Sequence, residues 1–83
     1  MFEPKIRSMR IYTKKDCMPC RMTKKELTRL GIPFEEIDLD DRPDQIDQVR
    51  HLGFTSLPVV VTDTDTWAGF DPGKLRTLKE TGG

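Results

Sequence analysis

Apolar and polar positions along this chain change period several times, and each change marks an element. Met9, Ile11 and Thr13 alternate with Arg10 and Tyr12, the two-residue period of a strand. From Cys17 the period lengthens. Cys20, Thr23, Leu27 and Leu30 recur at three or four residues, which predicts a helix stopped by Gly31 and Pro33. Phe34-Glu35-Glu36-Ile37-Asp38-Leu39 returns to alternation and predicts a second strand. Asp40-Asp41-Arg42-Pro43 then opens a second helix, with Ile46 and Val49 facing inward, His51 in the last turn and Gly53 just after it. Thr55 to Val61 is the most apolar stretch. Its three consecutive valines predict a strand covered on both faces, and Pro58 fits such a strand only at its first position. Thr62-Asp63-Thr64-Asp65 reads as a turn, and Thr66-Trp67-Ala68 as a short strand completing a hairpin. Asp71-Pro72 has the form of an N-cap and first helical residue, with Leu75 and Leu78 on the inner face of a last helix.

Strand, helix and strand in so few residues predict a right-handed crossover and a parallel pair. The expected class is α/β, in the order βαβαββα. Residues 1–8 show no period and read as a leader, 9–80 as one domain, and 81–83, with Gly82-Gly83, as a frayed tail.

Composition narrows the function. At 83 residues the core is small, and 34% of the side chains are charged, above the usual share of about 25%. Fourteen basic and fourteen acidic residues give zero formal net charge, so no strong field favours nucleic acid or a membrane surface. The apolar run from Leu57 to Val61 is far too short to span a bilayer, and the N-terminus has no long apolar signal region. The only two cysteines stand in one motif, unlike a secreted disulfide scaffold. A soluble, monomeric cytoplasmic protein is expected.

That motif, Cys17-Met18-Pro19-Cys20, lies between the first strand and the first helix. A C-x-x-C there reads as a redox dithiol. With Cys17 at the N-cap and Cys20 in the first turn, both side chains fall on one side of the helix start. Small adjustments then close or open a disulfide. Cys17 is expected to face solvent and Cys20 to be sheltered. Unpaired N–H groups and the helix dipole favour a negative sulfur. Pro19 suits the first turn, where its missing N–H is no loss. Lys14, Lys15, Arg21, Lys24 and Lys25 make the surroundings basic, which favours a thiolate or simply forms a solvated helix face; Asp16 opposes the thiolate.

Three other readings compete. A structural disulfide closing so short a loop removes only about 2 kcal/mol of unfolded-state entropy, against about 3 for a 15-residue loop. Half of a zinc site would need ligands from a second chain, since His51 is the one histidine and lies far along the sequence. Two unrelated buried thiols are the third.

The order of elements matches the minimal thioredoxin fold in its glutaredoxin-like form, with a four-stranded mixed sheet. Tyr12-Thr13-Lys14-Lys15-Asp16-Cys17, Gly53-Phe54 leading to Leu57-Pro58-Val59-Val60, and Trp67-Ala68-Gly69-Phe70-Asp71-Pro72 together resemble the NrdH-redoxins, small electron donors to class Ib ribonucleotide reductase. The last piece is the specific one. The family's usual form there is Trp-Ser-Gly-Phe-Arg-Pro, so Ala68 and Asp71 depart from it, as Met18-Pro19 departs at the centre. The resemblance implies dithiol exchange without a bound cofactor or metal, with Cys17 attacking and Cys20 resolving. It also implies recharging by thioredoxin reductase, not glutathione, and a cis Pro58 supporting the site with Met18 and Pro19. Trp67, Gly69 and Phe70 form either a docking surface or a closure of the core. A glutathione-dependent glutaredoxin is the nearest rival, although Ala68-Gly69-Phe70 lacks the Gly-Gly pair such proteins use. A metal or iron–sulfur module sharing Cys17 between two chains, and an interaction module with an incidental disulfide, are further alternatives.

Overall fold

The computed structural model describes residues 9–62 and 65–82. The expected leader at 1–8 lies outside the described residues, as do Asp63 and Thr64 of the expected turn. β1 (Arg10–Thr13), α1 (Met18–Leu30) and β2 (Glu35–Asp38) form the predicted crossover. A 3-10 turn over Pro43–Gln45 leads into α2 (Ile46–His51), and β3 (Val59–Val61), β4 (Thr66–Ala68) and α3 (Pro72–Gly82) complete the chain. The sheet order is β2-β1-β3-β4, with β1 parallel to β2 and the other neighbours antiparallel.

Strand alternation divides the core between the two faces of the sheet. Met9, Ile11, Val60 and Trp67 pack with Leu27 of α1 and Leu75 of α3. Tyr12, Ile37, Leu39 and Val59 pack with Val49 of α2 on the other face. The sheet is therefore sandwiched between α1 and α3 on one side and α2 on the other.

The boundaries of α1 follow from its sequence. Cys17 is the N-cap, in extended conformation, and its sulfur accepts from the Cys20 N–H. At the far end Gly31 turns left-handed with φ 74°. Its N–H donates to the Thr28 carbonyl and that of Ile32 to the Leu27 carbonyl, satisfying two helix-end acceptors. On α3, Asp71 caps the helix by accepting from the Lys74 N–H at 3.1 Å.

Two expectations need correction. Ile46 does not face inward but is 37% exposed, because the 3-10 turn delays the start of α2 and leaves Val49 as its one buried residue. Val61 is only half-buried, since it is the last residue of β3 and sits at the turn end of the hairpin opposite Thr66, whereas Val59 and Val60 are fully covered. α3 runs from Pro72 through Gly82, and Gly83 lies outside the described residues.

Candidate active site

Cys17 and Cys20 are joined in a disulfide with Cα atoms 5.2 Å apart. The strand-to-helix turn places them so. β1 ends at Thr13 in the middle of the sheet, the chain turns at Lys15 and Asp16, and Cys17 starts the helix. The Cys20 N–H, one of the donors the helix leaves unpaired, lies 3.3 Å from Cys17 Sγ. Thr23, one turn on and fully buried, donates its hydroxyl to the Pro19 carbonyl at 2.8 Å. Met18 and Pro19 are both exposed, Met18 to 60%.

The expectation that Cys17 faces solvent is only partly met. Cys17 retains 9% exposure and Cys20 1%. Cys17 is the more accessible sulfur, but the chain before β3 covers most of it. Its Sγ lies 4.0 Å from the Leu57 carbonyl. The Leu57–Pro58 peptide is cis, and Pro58 is fully buried. Gly69, with φ 94°, donates its N–H to the Pro58 carbonyl at 2.8 Å, so the turn after β4 is tied to the loop beside the dithiol.

Trp67 proves to be a core residue, 7% exposed, packed with Leu27, Val60 and Leu75. A partner would find little of it, so the burial favours closure of the core, the second of the two readings given to Trp67. Gly69 and Phe70 remain half-buried at the surface, with Phe70 leaning on the same core. Trp67 Nε1 is buried with no hydrogen-bond partner among the described residues, and Lys74 Nζ stands 5.1 Å from the ring centroid.

The basic surroundings are partly neutralised. The Lys15 ammonium meets Asp38 and Asp41, each at 3.1 Å, and the Lys15 backbone N–H donates to Asp40 at 2.9 Å. The Asp38 and Asp41 carboxylates hold the Lys15 pKa above its ordinary value. Lys24 pairs with Glu36 at 2.8 Å. Burial pushes the Glu36 carboxyl up, but the bonds from Lys24 and the Thr13 hydroxyl win and hold it below the usual carboxylate range. Of the five cations, two are thus spent on acids of β2 and the loop after it.

A groove of about 440 Å³ is lined by the apolar Leu39, Val49, Phe54 and Leu57 together with the exposed Lys14 and Arg50. Leu57 connects it to Cys17 through the contact already described. Sequence reasoning missed this groove. Its one signal was an apolar residue on each side of Thr55-Ser56, immediately before Pro58. No group of three or more His, Cys, Asp or Glu side chains suited to a metal occurs among the described residues.

A vicinal dithiol at a helix start on this α/β sheet defines a thioredoxin-fold thiol–disulfide oxidoreductase. The sequence pattern of glutaredoxins matches residues 9–67. The glutaredoxin-like protein NrdH of Lactococcus lactis subsp. lactis is 38% identical over 68 residues, which cover 82% of this chain and 94% of that protein. Among solved structures, the NrdH-redoxin of Escherichia coli superposes with a TM-score of 0.81 at 37% identity, over 86% of this chain and 93% of that one. A glutaredoxin from Archaeoglobus fulgidus gives 0.75 at 29% identity, over 89% and 87%. The chain belongs to the glutaredoxin family, in its NrdH-redoxin branch.

Proposed function

We propose that this redoxin supplies electrons to class Ib ribonucleotide reductase in the cytoplasm, works as a monomer, and is recharged by thioredoxin reductase. The carrying observation is the asymmetry of the dithiol: Cys17 is the more exposed sulfur and receives the Cys20 N–H, while Cys20 is buried. The Cys17 thiolate attacks a partner disulfide, forms a mixed disulfide and releases one partner thiolate. Cys20, deprotonated, then attacks Cys17 Sγ, releases the second partner thiolate and leaves the Cys17–Cys20 bond. Two electrons pass to the partner, and thioredoxin reductase returns them from NADPH. Pro58, Met18 and Pro19 shape the approach, and Gly69, Phe70 and the groove lined by Phe54 and Leu57 receive the partner chain. Ala68-Gly69-Phe70 places a bulky aromatic where glutathione-dependent relatives carry a second glycine, which disfavours the tripeptide.

The test is a coupled assay with a disulfide substrate and NADPH, run once with thioredoxin reductase and once with glutathione and its reductase. Turnover in the first and little in the second is expected. The reverse result would make the chain a glutathione-dependent glutaredoxin.

A further inference from the structure

Asp16 is the one residue other than glycine with a positive φ among the described residues, at 57°. It stands between Lys15, held at both its N–H and its ammonium by Asp38, Asp40 and Asp41, and Cys17 at the N-cap of α1. The chain has this single residue in which to turn from the Lys15 clamp into the extended conformation of Cys17, φ −124° and ψ 106°. It does so in the left-handed region, which Asp and Asn tolerate and branched residues do not. Glycine would meet that backbone demand without a charge. Conformation alone therefore accounts for Asp, Asn or Gly equally, and not for a carboxylate beside a sulfur that must ionise.

We propose that Asp16 is a positioning residue whose carboxylate restrains ionisation of the Cys17 thiol. The helix start and the Cys20 N–H pull toward the thiolate. Asp16 pushes against them. The other charges on neighbouring segments are Lys14, Arg50 and Asp40 lining the groove, Lys15 between Asp38 and Asp41, and Arg21, Lys24 and Lys25 on α1, with Lys24 paired to Glu36. The consequence is a better donor: strong stabilisation of the thiolate stabilises the reduced pair and makes a dithiol oxidising, so restraining it favours giving electrons away.

The consequence rests on the exchange reading above, but the restraint is measured without any partner. The reduced full chain is alkylated with iodoacetamide across pH, and Cys17 modification is followed by mass spectrometry. Asp16→Asn keeps the left-handed preference and removes the charge. Its alkylation midpoint is expected to fall by about half a pH unit, with a two- to threefold faster reaction near pH 7. The gap should narrow in about 1 M salt. Its unfolding midpoint should match the parent. Asp16→Gly serves as a second variant and should shift the same way. A midpoint that stays put or rises in both variants overturns the proposal. A shift as expected in a chain that reduces no disulfide would overturn the exchange reading and leave this one standing.

Discussion

The N–H of Cys20 points at Cys17 Sγ from 3.3 Å, so the more deeply buried cysteine solvates the sulfur of the more accessible one. As an N3 donor this N–H has no acceptor within the helix. A hydrogen bond of this kind strengthens as its acceptor becomes anionic. When the disulfide is reduced, the same group is in place to steady a Cys17 thiolate, and Cys20 stays close enough to resolve a mixed disulfide. The 5.2 Å between their Cα atoms lies within the usual span of a bridge, so both oxidation states need little backbone motion.

The two cysteines should therefore fail differently when replaced. Cys17→Ser removes the attacking sulfur and should abolish disulfide reduction. Cys20→Ser leaves the first attack intact and should accumulate a covalent complex with the substrate, visible on a non-reducing gel and released by dithiothreitol. A Cys17→Ser protein that still reduced disulfides at the parental rate would reverse the assignment.

Acid should weaken the fold through β2. The Glu36 carboxyl is held below its ordinary range despite its burial penalty, by Lys24 and the buried Thr13 hydroxyl. The Lys15 hydrogen bond does the same for Asp38. Both groups bind a proton more weakly folded than unfolded. Their contribution to stability is complete above about pH 4.5 and is lost as the pH falls through the lowered folded values. Urea unfolding at pH 7, 5 and 3.5 should show a midpoint that falls between pH 5 and 3.5, and Glu36→Gln should flatten that fall while costing under about 1 kcal/mol at pH 7. An unchanged slope in that variant would remove Glu36 from the account.

Much of this was legible in the chain because local chemistry and the global fold agree. The alternation of Met9 to Thr13, the Gly31 stop and the Asp71-Pro72 cap each mark an element that formed. The dithiol was legible because its two residues share one helix start. What was hidden depended on distant pieces. Cys17 is covered by Leu57, forty residues away, which no periodicity around Cys17 could show. The cations near the dithiol looked free in sequence, yet Lys15 and Lys24 meet acids contributed by β2 and its following loop. Trp67 carried a docking reading because of its neighbours Gly69 and Phe70, whereas strand parity turns its ring toward α1 and α3.

Trp67 offers a test of two opposing terms. Its ring is buried in the core, but its Nε1 lacks a partner among the described residues. An unpaired buried donor costs about 1–3 kcal/mol. Trp67→Phe removes that donor together with part of the packing, so its net cost should be small, under about 1.5 kcal/mol. Trp67→Ala loses the packing outright and should cost about 3–5 kcal/mol. Equilibrium urea unfolding of both variants separates the terms. Equal losses would show that the indole N–H is not a penalty.

Gly69 links stability to the site. Its φ of 94° is one that side chains rarely adopt, while a methyl group there would meet nothing within 4 Å. The cost of Gly69→Ala is therefore conformational, about 1–2 kcal/mol. Relief of that strain by a shift in φ would move the N–H away from the Pro58 carbonyl it now reaches at 2.8 Å. Pro58 follows Leu57, whose carbonyl covers Cys17, so the disturbance should pass to the approach of the partner. Gly31→Ala is the control, with φ 74° and open space at a helix end instead of beside the dithiol. Both variants should lose similar stability by urea unfolding, but only Gly69→Ala should raise KM for a protein disulfide in the coupled assay. Equal KM values in the two would confine Gly69 to the fold.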